Sequence, residues 1–143
     1  LHVMGEGTFI DLLSFLEKYM PDDATKKIIK LAKRDEQRHV AYGMEHVKSA
    51  IKQNPKRINA LKNSAFKRKE FMDEINTESS MVLESLAILA GGGDEPNLYK
   101  KGFDLVEELK KKMNENRIKR LIDIGMDEDL ANDISKVHTP NFM

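Results

Sequence analysis

Apolar residues recur at every third or fourth position along almost the whole chain. No stretch alternates with period two, so the pattern predicts an all-α protein. A first helix is predicted over residues 3–19, with Phe9, Leu12, Leu13 and Leu16 as its apolar stripe and Glu6 one turn before Phe9. Pro21, Asp22 and Asp23 break it, with Asp23 as the cap of the next helix. That second helix is predicted over residues 24–52. Its expected buried face is Ile28, Ile29, Ala32, Glu36, His39, Val40, Gly43, Val47 and Ile51. Asn54 and Pro55 close this hairpin.

A third helix, over residues 56–76, carries Ile58, Leu61, Ala65, Phe66 and Met72. Thr77 is the expected cap of a fourth helix. Met81, Val82, Leu83, Leu86, Ile88 and Leu89 make that helix apolar nearly all round, which predicts burial. Gly91, Gly92 and Gly93 form a flexible connection, and Asp94 with Pro96 reads as a cap and an early-turn proline. Helices are expected over 96–114, over 117–124 with a stop at Gly125, and over 127–135. Residues 138–143 are expected to be a non-helical tail.

The chain of 143 residues is long enough for one domain with a core. It divides into an antiparallel helix pair over residues 1–52 and a helical extension over 53–143 packed on it. Twenty-four basic and 24 acidic residues leave a formal net charge of zero, which gives no electrostatic reason to expect nucleic acid as a partner. Cysteine is absent, so there is no disulfide, thiolate site or cysteine nucleophile, which fits a cytoplasmic protein. No apolar run reaches the length of a membrane span, and the opening residues lack the pattern of a signal peptide. The sequence starts in mid-pattern at Leu1 without an initiator methionine, and residues before it are expected in the natural protein.

The candidate chemistry lies in Glu36-Gln37-Arg38-His39. Spacing of three on a helix sets Glu36 and His39 on one face, a turn apart, where a carboxylate oxygen and an imidazole nitrogen can reach one metal ion. Glu6 lies in the apolar run from Val3 to Ile10, where a charge is costly to bury unless it is paired or ligated. An antiparallel hairpin is expected to bring Glu6 beside Glu36 and His39. Carboxylates and imidazoles suit iron, manganese or zinc. A Glu-x-x-His alone is a weak signal, since most copies lie on solvated helix faces.

Asp35-Glu36-Gln37-Arg38-His39-Val40-Ala41-Tyr42-Gly43 resembles the second metal-binding helix of the ferritin-like diiron oxidases and oxygenases. The resemblance covers roughly residues 1–52. It implies half of a four-helix bundle, with Glu6, Glu36 and His39 as metal ligands and Asp35 as the group that orients a ligand histidine. It also implies two iron ions, or manganese, or one of each. The activity implied is activation of dioxygen on a small organic substrate. A homodimer is implied, and an electron-donor protein as a further partner. The family's other half-site, a Glu and a second Glu-x-x-His, is missing from the sequence. It is expected either upstream of Leu1 or on a second chain.

Two other readings stay open: a ferroxidase or iron-handling protein, and a non-enzymatic helical interaction module. His2 and His46 are weaker ligand candidates, and Tyr42 is more simply a packed tyrosine. The runs Lys67-Arg68-Lys69 and Lys110-Lys111-Lys112 are expected on solvated faces.

Overall fold

A computed structural model describes residues 5–74 and 79–138. They form α1 (Gly7–Tyr19), α2 (Asp23–Gln53), α3 (Arg57–Glu74), α4 (Ser79–Gly91), α5 (Pro96–Asp123) and α6 (Glu128–His138), with no strand among the described residues. The expected start of α1 at Val3, the cap Thr77 and the tail after His138 fall outside the described residues. None of the helices is long and apolar enough to cross a membrane.

The helix ends follow local chemistry, with two shifts from the expected caps. Asp22, not Asp23, caps α2: its Oδ1 accepts from the Thr25 backbone N–H at 2.7 Å. Before α5 the capping position is Glu95 rather than Asp94, and Pro96 opens the helix with a φ that suits its first turn. Asp127 caps α6 by accepting from the Leu130 N–H at 2.8 Å.

α5 is one helix where two were expected. Asn114 and Asn116 read as a break because asparagine competes for nearby backbone groups. In the fold both amides are occupied by partners on other helices. Asn116 donates to Asp11 at 2.8 Å, and Asn114 accepts from the Ser135 hydroxyl at 2.7 Å. The helix therefore runs on to Gly125, whose φ of +103° ends it. Met126 N–H then reaches the Leu121 carbonyl at 3.1 Å and Gly125 N–H the Ile122 carbonyl at 2.9 Å, which closes the last turn.

α5 links two apolar cores. Its first half packs Val106, Leu109 and Met113 with Phe15 of α1 and Leu86, Ala87 and Ala90 of α4. Its second half packs Leu121 with Val40 and Met44 of α2, Ala65 of α3, and Ala131 and Ile134 of α6. Burying one such large side chain contributes about 1.5–3 kcal/mol. α4 and α5 approach closely because small residues meet there. A Cβ on Gly102 would lie 1.8 Å from the Ala87 carbonyl oxygen, and one on Gly91 would lie 2.1 Å from that of Leu98.

Two expected burial patterns are corrected. α4 buries one face only; Met81 (72 % exposed), Val82 and Ile88 face outward, because α4 packs on α5 with a single side. On α2 the buried line runs through Ile29, Val40, Gly43 and Met44. Ile28 and His39 each lie one residue from that line, about 100° round the helix, and are exposed, as is Ala32.

Gly102→Ala should lower the free energy of unfolding by about 1–3 kcal/mol, because the added methyl must force α4 from α5. Lys101→Ala, at an exposed neighbour, should change it by less than about 0.5 kcal/mol. Urea denaturation of both variants checks the pair.

Candidate metal-ligand pair and a buried arginine cluster

Glu36 and His39 meet as their spacing requires: His39 Nδ1 lies 3.3 Å from Glu36 Oε2. The Glu36 side chain is 22 % exposed and that of His39 is 66 % exposed. The pair therefore sits at the border between the buried line of α2 and solvent. Asp35 is engaged with Arg38, 3.3 Å away, rather than with a histidine. Further along the same side, exposed Tyr42 stacks on His46 at a ring separation of 6.4 Å. Exposed Ile28 and Leu31 lie on the other side of the pair along α2.

Glu6 is half-buried, in the turn that leads into α1. The ion pair between Glu17 and Lys33 marks the register of α1 on α2. In an antiparallel pair, a step back along α1 is a step forward along α2. Glu6 lies eleven residues before Glu17, so it falls opposite the region of Met44, eleven after Lys33. Ile10 agrees, since it packs on the core that contains Val40 and Met44. Met44 is about 12 Å along the helix from Glu36. Among the described residues no group of three or more His, Asp and Glu side chains is placed to hold a metal ion. The structure thus joins Glu36 to His39 and sets Glu6 apart; His2 lies outside the described residues.

A second constellation was not legible as such in the sequence. Thr8, Asp11, Arg117, Ser135 and His138 are all buried, and together they form the polar part of the interior. Arg117 continues the line Met113–Arg117–Leu121, so a cation stands where the spacing calls for an apolar residue. It donates to the Ser135 carbonyl and hydroxyl, each at 3.4 Å, and to the Thr8 hydroxyl at 3.5 Å. These are long contacts to neutral oxygens, where charge-assisted bonds are usually about 2.7–2.9 Å. Arg120 Nη1 lies 4.0 Å from Asp11 Oδ2. His138 ends α6 rather than opening a tail, and its Nε2–H donates to the Ala65 carbonyl at 3.0 Å.

Burial dominates the acid–base behaviour of this cluster. It pushes the Arg117 guanidinium down to about 10; Arg120 and Arg68 push the same way, and Asp11 opposes them. Burial also lowers Arg120, again opposed by Asp11. Asp11 is pushed up from its ordinary carboxylate value by burial, against the Asn116 hydrogen bond and the charges of Arg120, Lys112 and Arg117.

The signal that could have found this cluster was charge on an apolar line, at Asp11 in α1 and Arg117 in α5. The expected helix break at residues 115–116 hid the second. Comparison with protein families, characterised proteins and solved structures finds no match to this chain.

A raised Asp11 means that the folded state holds this proton more tightly than the unfolded chain does. Its contribution to stability therefore falls as pH rises from the ordinary value of 3.8 through the raised one. Asp11→Asn keeps the acceptor for Asn116 and removes this titration. Thermal melts across pH should show wild type losing stability relative to Asp11→Asn on going from acid to neutral pH. A wild type that gains on the variant over that range would contradict the assignment.

Proposed function

We propose that this chain contributes half of a ferritin-like di-metal carboxylate centre, of the oxidase or oxygenase kind, with Glu36 and His39 as its donors. The observation that carries this reading is that pair: a carboxylate and an imidazole already side by side on a face of α2 where Ile28, Leu31 and Tyr42 are also exposed. Neither residue is consumed by the fold, and apolar side chains beside them suit a surface that other helices cover. Iron bound in a completed centre would supply the activation of dioxygen.

The residues of one chain do not by themselves fit a two-ion centre. Glu36 and His39 can offer two donors to one ion, and Glu6 stands about two turns away along the hairpin. The reading therefore needs carboxylates and a histidine from further helices, whether upstream in a longer chain or on a second copy. What the chain's own residues do is limited to holding one ion from one side. Glu36 Oε2 and His39 Nδ1, 3.3 Å apart, are the two atoms that would share that ion between them.

A second reading is a helical interaction module without metal. It is favoured by the same exposed apolar residues on α2, with Met81, Val82 and Ile88 on α4. Manganese titration of the chain, followed by electron paramagnetic resonance, separates the two. The metal reading predicts one weak site per chain, lost in Glu36→Ala and His39→Ala and kept in Glu6→Gln. Because Glu36 and His39 form an exposed or half-exposed i, i+3 pair, both alanine variants should keep the wild-type fold. Binding left unchanged by Glu36→Ala would sink the metal reading.

A further inference from the structure

The end of α2 and the start of α3 do not close on each other. Val47, Ala50 and Ile51 share one face of α2, and Arg57, Ala60 and Leu61 share one face of α3, each set at spacings of three and four. The two rows, with His46, line a cavity of about 340 Å³ between the helices. Alanine at positions 50 and 60 leaves space that a larger side chain would fill. The volume is at the lower end for small-molecule sites, which run from about 300 Å³ upward.

The floor of this groove is firm and apolar. Val47, Ile51 and Leu61 are half-buried and pack on the core that contains Val40, Met44 and Ile134. Its charge is of one sign. No aspartate or glutamate lines it, and Arg57 does. Arg57 is exposed, and its guanidinium has no hydrogen-bond or ion-pair partner among the described residues. Glu45, the acid beside His46 in sequence, is paired with Lys48. His46 stacks on Tyr42, and its ring nitrogens have no hydrogen-bond partner among the described residues, so either tautomer has an N–H to give.

An apolar groove with one unmatched guanidinium suits a ligand with a hydrocarbon body and a single anionic head. A guanidinium fork matches the two oxygens of a carboxylate. Aliphatic walls and a small volume suit a short chain. We propose that the groove between α2 and α3 is a binding site for a short aliphatic carboxylate. Arg57 holds the carboxylate, and Val47, Ile51 and Leu61 cover the chain. His46 lies seven residues beyond His39, about 10 Å along α2, so this site is separate from the Glu36–His39 pair and does not depend on the metal reading.

Nuclear magnetic resonance titration of the whole ¹⁵N-labelled chain with octanoate, below its micelle concentration, tests this. Octanoate should shift the amide signals of residues 46–51 and 57–64 in a saturable way. Arg57→Gln, at an exposed position and expected to fold, should weaken octanoate by about three- to tenfold, and Arg57→Lys should weaken it less. Octanol should bind wild type and Arg57→Gln alike, because it carries no charge. Ala60→Leu should fill the groove and abolish the response to both. Lys62→Ala, at an exposed cation on α3 that does not line the cavity, should leave it unchanged.

Shifts spread over the exposed residues of α4 instead of the two rows would overturn the proposal. So would an Arg57→Gln affinity equal to wild type, or octylamine binding as tightly as octanoate. The same signals moving when protein concentration alone is raised would assign the groove to a second copy and overturn it as well.

Discussion

The constraint that shapes this molecule is charge in its interior. Arg117 stands on the apolar line of α5, with Arg120 one turn on, and the Asp11 carboxylate of α1 acts on both. Taking a guanidinium out of water costs several kcal/mol after relaxation, and contacts to neutral hydroxyls and carbonyls at 3.4–3.5 Å recover only part of it. Apolar packing must outweigh that cost. The two cores joined by α5 do so, with Leu121, Ile134 and Val106 almost wholly removed from solvent.

The same cluster explains why α1, α5 and α6 hold their mutual places. Thr8 of α1 and Ser135 of α6 are both acceptors of one guanidinium on α5. Asn116 ties α5 to Asp11 of α1, and Asn114 ties it to Ser135 of α6. His138 carries the link on to Ala65 of α3. Polar bonds of this kind add little net stability, but unmatched partners are costly, so they select one packing over its neighbours. α2 takes no part in these bonds, and its outward face is free to carry different chemistry.

The helical class was legible because apolar spacing of three and four is a local property, and so were Gly125 as the stop of α5 and Pro96 as its opening residue. Three features were not legible, each for a tertiary reason. The Asn114–Asn116 stretch reads as a break until its amides find partners on α1 and α6. The buried line of α2 lies about 100° from Ile28 and His39, and a nearly continuous mixture of small and apolar residues leaves that phase open. His138 looks like part of a tail until Ala65 is beside it. The Glu36–His39 contact was legible because it is intrahelical. The distance of Glu6 from it was not, because it depends on the register between two helices, which the Glu17–Lys33 contact marks.

Whether the buried cations are a cost or a support is open to direct measurement. Met at position 117 would continue the line between Met113 and Leu121 with an apolar side chain of similar length. The measurement is the urea unfolding free energy of Arg117→Met against wild type, at neutral pH in phosphate-free buffer. If the Arg117 charge is a net cost to the fold, the variant is at least as stable as wild type, because the lost contacts are long and the charge goes with them. A loss of about 3 kcal/mol or more would contradict that view, since it is the penalty for breaking a buried charge that was properly matched.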